Sequence, residues 1–292
     1  MEISRVESQS KHIQQTYTWG KVVWHVWGAN NCTDVAADKG AAGTATNMAN
    51  APQPRPLVLL HGGSGSWTHW VRNVEHLAQT RPVWALDIPG FGDSDLPSGV
   101  SDADGLVPYL AEILMRSFKD EPVDVMGFSF GGMTAGLMAA QYPHIIRQLI
   151  LVGAPGLGLF GKELPMRGTA THMGHAEIRN VHRHNLNAMM FAHAQSVTED
   201  VIDLQQDNVA RDRLRRRRIA RTEVLANAQT HWTCPVHGVW GELDALYANT
   251  LQQVPTVLPR LASFQVVPDA GHWLMYERPE AFHAAVDPLL KL

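Results

Sequence analysis

Residues 127–131 read Gly-Phe-Ser-Phe-Gly, a G-x-S-x-G pattern that can present a serine nucleophile. An apolar, β-branched run precedes the pattern, and a helical run of small residues follows it. Where a strand turns into a helix within about one residue, the central residue is strained and its side chain stands exposed above the sheet. The spacing therefore predicts that Ser129 is a nucleophile at the N-terminal end of a helix.

A serine hydroxyl is a weak nucleophile unless a general base and a third, orienting group act on it. His272 and Asp244 each lie just past the end of a predicted strand, as Ser129 does. Because parallel sheets place their chemistry at the carboxyl ends of strands, the three side chains can converge. We expect His272 to take the Ser129 proton and Asp244 to orient the imidazole. Glu242 and Asp269 compete for that last role, and Asp244 is preferred because it sits in the turn beyond its strand.

The elements that must position these residues follow an α/β order. Predicted helices cover residues 105–118, the stretch after the elbow, and residues 279–290. Predicted strands cover residues 16–27, as a hairpin meeting at Gly20-Lys21, and residues 57–60, 82–87, 123–127, 150–155, 235–240 and 264–267. The alternation predicts a doubly wound, mostly parallel sheet.

The alternation stops between residues 156 and 231, where helical periodicity continues without a convincing strand. We interpret residues 156–231 as a helical cap inserted into a core formed by residues 1–155 and 232–292. Residues 28–56 are rich in Ala, Gly, Asn, Thr and Pro without apolar periodicity, which predicts a long surface loop inserted into the core.

The predicted cap carries two features that invite other functions. Its histidines suggest a metal site, but they are scattered without carboxylates at ligand spacing, so we predict no metal site, in the cap or elsewhere in the chain. These histidines are His172, His175, His182, His184 and His193. The run from Arg211 to Arg221 has arginine at seven positions, which suggests a nucleic-acid tail. We favour instead a solvated helical face of the cap.

Composition narrows the class of protein. The net charge of the 292 residues is −4, which argues against nucleic acid as the main partner. The start of the chain lacks the apolar core of a signal peptide, and no stretch is long enough to span a membrane. Cys32 and Cys234 are too few for a disulfide framework. We expect a soluble, cytoplasmic protein with a small-molecule substrate and no membrane partner; the oligomeric state, a homodimer included, stays open.

The glycine-rich turn after the strand at residues 57–60 reads His-Gly-Gly-Ser-Gly-Ser. It lacks the Gly-Lys-Ser/Thr ending of a phosphate-binding loop and does not meet the spacing of a dinucleotide site. The same turn can present a backbone N–H, from Gly63 or Ser64, to a developing oxyanion.

Five ordered motifs resemble those of the α/β-hydrolases over residues 15–155 and 233–290. They are His61-Gly-Gly63, residues 87–94 (Asp-Ile-Pro-Gly-Phe-Gly-Asp-Ser), the elbow at residues 127–131, Gly241-Glu-Leu-Asp244 and Gly271-His-Trp273. The resemblance implies an α/β-hydrolase fold with an inserted helical cap, oxyanion donors at the N–H of Phe130 and of Gly63 or Ser64, and no cofactor. A serine at the elbow differs from the aspartate of haloalkane dehalogenases and epoxide hydrolases.

Within that family the turn at residue 61 and the Gly-His-Trp ending are similar to those of meta-cleavage-product hydrolases, which cleave carbon–carbon bonds in dienoate acids. Those enzymes carry asparagine before the nucleophile, where this chain has Phe128, and a cap arginine where this chain has Gln205. Arg211 is the candidate substitute.

An apolar setting around the nucleophile favours a neutral ester or lactone, cleaved through an acyl-enzyme on Ser129. Predicted substrate contacts are Phe128, Trp67 and Trp273, with ordinary core packing as the alternative for Trp67. The remaining alternatives are a carbon–carbon bond hydrolase of a meta-cleavage-product dienoate and a non-catalytic binding protein on the same fold.

Overall fold

The computed structural model describes residues 2–28, 55–159, 161 and 163–291. Of the loop predicted over residues 28–56, only residues 28, 55 and 56 are among the described residues. Cys32 lies outside them.

One eight-stranded sheet organises the chain, in the spatial order β1-β2-β4-β3-β5-β6-β7-β8. Its strands are β1 (Lys11–Tyr17), β2 (Gly20–Trp27), β3 (Leu57–Leu60), β4 (Val83–Leu86), β5 (Val123–Phe128), β6 (Ile146–Val152), β7 (Val236–Gly241) and β8 (Ser263–Val267). The pairs β1·β2 and β2·β4 are antiparallel, and every other neighbouring pair is parallel. The prediction of a doubly wound, mostly parallel sheet is confirmed.

The hairpin differs from the prediction at both ends of its first strand, because β1 begins at Lys11, five residues before the predicted start, and ends at Tyr17. Residues 18 and 19 form the turn, and Gly20 already pairs with Tyr17 as the first residue of β2. Lys21 pairs with Thr16 of β1, and its N–H donates to the carboxylate of Asp95, 2.8 Å away, which fixes this end of the strand.

Helices cover both faces of the sheet. They are α1 (Glu2–Ser8), α2 (Val74–Leu77), α3 (Ala103–Phe118), α4 (Phe130–Gln141), α5 (His175–Asn185), α6 (Glu199–Ala210), α7 (Val224–Ala228), α8 (Val254–Val257), α9 (Leu274–Glu277) and α10 (Pro279–Leu290). Successive side chains of β3 enter opposite cores: Val58 and Leu60 join one apolar cluster, Leu57 and Leu59 the other. Burial on both faces explains why the central strands are continuous apolar runs.

The segment between β6 and β7 has helices and no strand among its described residues. It contains α5, a π-helical turn (Leu186–Met190), α6 and α7. Its treatment as a separate cap domain over residues 156–231 stays a prediction. None of the helices in the described ranges is long and apolar enough to cross a membrane.

Candidate active site

The sharp turn between β5 and α4 carries Ser129, whose backbone has φ 50° and ψ −117°. This conformation is strained for a residue with a Cβ atom, and the tight packing of the turn maintains it. A Cβ at Gly127 would lie 2.6 Å from the carbonyl oxygen of Gly131, and a Cβ at Gly131 would lie 2.4 Å from the carbonyl oxygen of His61. Both flanking positions therefore require glycine, because neighbouring backbone atoms occupy the space that a Cβ atom would need.

A chain of two hydrogen bonds links the three residues that follow β5, β7 and β8. The Nε2 atom of His272 lies 2.9 Å from the Ser129 hydroxyl oxygen, and its Nδ1 atom lies 2.7 Å from Oδ2 of Asp244. His272 and Asp244 are buried. Because an ionised carboxylate only accepts, it fixes the proton on Nδ1 and leaves the Nε2 lone pair facing Ser129. The arrangement can deprotonate the serine hydroxyl.

The two competing carboxylates are engaged elsewhere. Glu242 accepts the N–H of Asp269, and Asp269 binds the side chains of His193 and Arg278. Asp244 has both oxygens committed locally, since its Oδ1 atom accepts the N–H of Leu246 at 2.9 Å. The geometry brings Asp244, and neither competitor, to His272.

The glycine-rich turn after β3 is held by two buried histidines. The His61 Nε2 atom accepts the N–H of Ile88 at 3.0 Å, so its Nδ1 atom carries the proton and donates to the carbonyl of Gly62 at 2.7 Å. Burial lowers the pKa of His61 to about 3 and keeps the ring neutral. The N–H of Gly62 donates to Nδ1 of His69, whereas the N–H of Gly63 has no protein acceptor in the described part of the chain. That amide is free to serve an oxyanion.

The loop that begins at Asp87 is held together by the side chain of Asp87. Asp87 is fully buried and accepts the N–H groups of Trp67 and Asp93, each at 2.9 Å. Burial raises the pKa of Asp87 to about 6. A Cβ at Gly92, where φ is +49°, would lie 2.2 Å from the Asp87 carboxylate.

Arg217 is the residue near the site that sequence reasoning missed. Its Nη2 atom donates to the Ser64 hydroxyl and to Oδ2 of Asp212, each at 2.7 Å, and the Ser64 hydroxyl donates to the same carboxylate at 2.6 Å. The guanidinium lies beside Gly63, where a Cβ would meet Nη1 at 2.8 Å. It also lies 6.0 Å from the ring centroid of Phe130. An ion pair between the half-buried Arg217 and the buried Asp212 therefore lies directly against the predicted oxyanion turn.

The interpretation of residues 211–221 as a helical face was wrong, although five of the seven arginines in this run are exposed, as a solvated face requires. The helix α6 ends at Ala210, and residues 212–218 follow without regular secondary structure. Arg213 donates to three backbone carbonyls of the loop after β4, while Arg217 turns inward to Asp212. Arg211, the suggested substitute for a cap arginine, pairs at the surface with Asp93 at 3.3 Å. The acidic residue inside the run was the signal that could have been used.

The three predicted substrate contacts lie in the packed core. Phe128 is fully buried, with its ring 5.0 Å from that of His272. Trp273 is fully buried and donates its indole N–H to the carbonyl of His69 at 2.9 Å. Trp67 packs against His25 and Trp27, which agrees with its core-packing alternative. A direct substrate contact through any of the three stays a prediction.

Comparison with known proteins identifies the family. The profile described as the Alpha/beta hydrolase family matches residues 57–285. The 2-hydroxy-6-oxo-2,4-heptadienoate hydrolase of Pseudomonas putida is 35% identical over 133 residues, which are 43% of this chain and 48% of that protein. The chain thus spans about half the length of that relative.

Two more comparisons extend over most of the chain. The 2-hydroxy-6-oxononadienedioate/2-hydroxy-6-oxononatrienedioate hydrolase of Paraburkholderia phymatum is 27% identical over 252 residues, 78% of this chain and 84% of that protein. The naproxen esterase structure from Bacillus subtilis superposes with a TM-score of 0.69 at 16% identity, covering 99% of this chain and 95% of that one. Together with the sheet order and the elbow, these matches show that the chain belongs to the alpha/beta hydrolase family and is a hydrolase.

Proposed function

We propose that this protein cleaves a small, largely apolar carboxylic ester or lactone through an acyl-enzyme on Ser129. The observation that carries the proposal is the continuous hydrogen-bond chain from Ser129 through His272 to Asp244. A base and an orienting carboxylate are the two groups that a serine needs to attack a carbonyl carbon.

The reaction runs in two halves. As the Ser129 oxygen bonds to the ester carbonyl carbon, its proton passes to Nε2 of His272. The negative oxygen that forms accepts hydrogen bonds from the N–H groups of Phe130 and Gly63. Collapse breaks the bond to the alcohol, which leaves with the His272 proton. Water, deprotonated by His272, then attacks the acyl group and releases the acid, and Ser129 regains its proton.

The surroundings of the elbow favour a substrate without charge. Phe91 and Phe130 lie 5.8 and 6.0 Å from the Arg217 guanidinium and present aromatic rings on this side of the turn. The charge of Arg217 is already matched by the buried carboxylate of Asp212. A neutral acyl group meets this environment without disturbing that ion pair, whereas an additional carboxylate must compete with Asp212.

The test is turnover of a panel of short p-nitrophenyl esters by the wild-type chain and by Ser129→Ala. We expect Ser129→Ala to lower kcat by several orders of magnitude, because only binding and the oxyanion donors remain, roughly 10³–10⁴-fold over water. A fluorophosphonate should label the wild-type chain at Ser129. Full activity in Ser129→Ala refutes the assignment of the nucleophile, and absence of labelling together with absence of turnover supports a binding protein.

A second candidate is carbon–carbon bond hydrolysis of a meta-cleavage-product dienoate. Two observations favour it. The relative from Pseudomonas putida is named for a dienoate substrate, and the relative from Paraburkholderia phymatum is named for dienedioate and trienedioate substrates. In addition, Arg217 places a cation beside the predicted oxyanion turn. In this alternative the substrate carboxylate takes over the hydrogen bonds that Arg217 gives to Asp212.

Loss of the absorbance of a ring-opened dienoate measures this activity directly. If the second candidate is correct, Arg217→Gln should raise KM for the dienoate at least about tenfold, since a charge-assisted hydrogen bond is lost. Arg211→Gln is the matched control because Arg211 pairs at the surface with Asp93. An inert dienoate, with rapid ester turnover that depends on Ser129, rules this candidate out.

A further inference from the structure

Three side chains near the start of the chain converge without taking part in the relay. Glu7 is near the end of α1, and His12 on β1 lies directly opposite His25 on β2 in the antiparallel register. One potential ligand atom from each lies within 4.8 Å of the others. In the part of the chain that the structure describes, no other group of three or more His, Cys, Asp or Glu side chains meets this criterion.

His25 is the unusual member of the cluster. It is 1% exposed, and neither of its ring nitrogens has a hydrogen-bond partner. Its ring is stacked on Trp67, with centroids 4.8 Å apart and an angle of 28° between the planes. A buried imidazole without partners costs free energy, because water satisfies both nitrogens in the unfolded chain. The packing holds this ring in place although no hydrogen bond does.

The unpartnered nitrogens of His25 suit a ligand. An imidazole binds a metal ion through the lone pair of one ring nitrogen, and such a bond would satisfy one of the two unpartnered nitrogens of His25.

The other two members are placed to complete a site. The Nε2 atom of His12 lies 3.5 Å from Oε1 of Glu7, and the side chains are 51% and 41% exposed. A tetrahedral zinc ion with bonds of about 2.1 Å holds its ligand atoms roughly 3.4 Å apart. One edge of the tetrahedron thus exists already. Glu7 and His12 are at the surface, so they can move the remaining distance toward His25, which is up to about 1.4 Å since the ligand atoms lie within 4.8 Å of one another.

We propose that Glu7, His12 and His25 bind a divalent transition metal ion, with Zn²⁺ the best fit, as three protein ligands with the fourth position open to water. Two imidazoles and one carboxylate suit zinc, cobalt and nickel better than magnesium or calcium, which prefer oxygen ligands. The ion joins α1 to the β1–β2 hairpin. Since it binds only where these elements are assembled, it stabilises the folded chain.

Direct metal binding tests the proposal. The full chain, purified without a polyhistidine tag and stripped with a chelator, is titrated with Zn²⁺ in competition with a chromophoric chelator. We expect one high-affinity equivalent, and His12→Gln and Glu7→Gln should weaken it by roughly tenfold or more, because each removes one of three ligands. His172→Gln is the matched control, since His172 is an exposed histidine outside the cluster and its variant should bind as the wild type does.

Two further readouts separate a built site from weak binding by surface histidines. Zn²⁺ should raise the Tm of the wild type and of His172→Gln, but not that of His12→Gln. Co²⁺ should give the intense visible absorption of a tetrahedral site in the wild type and lose it in His12→Gln. Equal zinc affinity in the wild type and His12→Gln refutes the proposal. His25→Phe keeps an aromatic ring to stack on Trp67, so a folded His25→Phe variant that binds zinc as tightly as the wild type refutes it too.

Discussion

Replacing Asp244 with asparagine is the sharpest test of the relay, because the change keeps size and removes one acceptor. In the wild type, Oδ1 accepts the N–H of Leu246 and Oδ2 faces Nδ1 of His272. Asparagine has a single side-chain oxygen for these two positions. If this oxygen keeps accepting the N–H of Leu246, the NH₂ group faces Nδ1 of His272, and the proton of the imidazole must then be on Nε2. If the oxygen turns to His272, a buried NH₂ group opposes the N–H of Leu246.

The first outcome removes catalysis, because Nε2–H pointing at Ser129 cannot accept the serine proton. In a serine protease relay this exchange lowers kcat by roughly 10⁴-fold. At about 1.36 kcal/mol per tenfold change, the loss is about 5.5 kcal/mol of transition-state stabilisation. We expect a loss of this order in Asp244→Asn with KM nearly unchanged, since Asp244 is buried behind His272 and does not face the substrate.

The assay is steady-state hydrolysis of the best ester in the panel, with circular dichroism to verify folding. Asp269→Asn and Glu242→Gln are matched controls, because both change a carboxylate of the same loops that does not contact His272. We expect these controls to keep kcat within about tenfold of the wild type. If Asp244→Asn keeps its activity, or if Asp269→Asn loses more than it does, the assignment of the orienting carboxylate is wrong.

Three more predictions concern the surroundings of the relay. Gly127→Ala should cost about 3 kcal/mol of stability or more, or prevent folding, because the new Cβ would lie 2.6 Å from backbone atoms of the next helix. Gly168→Ala, where a Cβ meets nothing within 4 Å, should melt within a few degrees of the wild type, and equal thermal melts for both variants would contradict the reasoning. Glu277→Gln should lower the free energy of unfolding by about 1–3 kcal/mol and reduce kcat, because its carboxylate accepts the N–H of Gly271 and three donors from the segment between β6 and β7. Urea unfolding and ester kinetics measure both effects, and unchanged values would show that the amide replaces the carboxylate fully. Finally, burial lowers the pKa of His61 to about 3, so between that value and 6.5 only the unfolded chain binds the proton and stability falls as pH falls. At about pH 5 this difference lowers the free energy of unfolding by roughly 2 kcal/mol. In urea unfolding, the stability lost between about pH 7 and pH 5 should therefore be smaller in His61→Gln than in the wild type by roughly 2 kcal/mol. Equal losses in the two proteins would refute this prediction.

Much of the site could be predicted because its chemistry lies on elements with strong local signals. Each member of the relay follows a strand, and parallel strands bring their carboxyl ends to one edge of the sheet. The need for glycine on both sides of the elbow could be inferred for a similar reason. They mark positions where the backbone leaves no room for a Cβ, as at Gly127 and Gly131. Local constraints of this kind can be recognised in a single sequence.

Contacts that the segment between β6 and β7 makes with the rest of the chain could not be predicted. Seven arginines in eleven residues resemble a solvated face, and nothing local says that Arg217 turns inward while its neighbours turn out. The decision depends on Ser64, which lies 153 positions away in sequence, and on the buried Asp212. The roles of Phe128 and Trp273 could not be decided either, since an apolar residue next to Ser129 or His272 can line a pocket or pack behind the histidine.

Two buried carboxylates explain why the segment between β6 and β7 matters to the relay. Asp212 joins that segment to the oxyanion turn through Ser64, and Glu277 joins it to the histidine loop through Gly271. Each carboxylate accepts donors from both sides, so neither loop can shift without leaving a buried group unsatisfied. The segment therefore helps to hold in place the turn after β3 and the loop of His272, which carry the proposed oxyanion donor and the proposed general base.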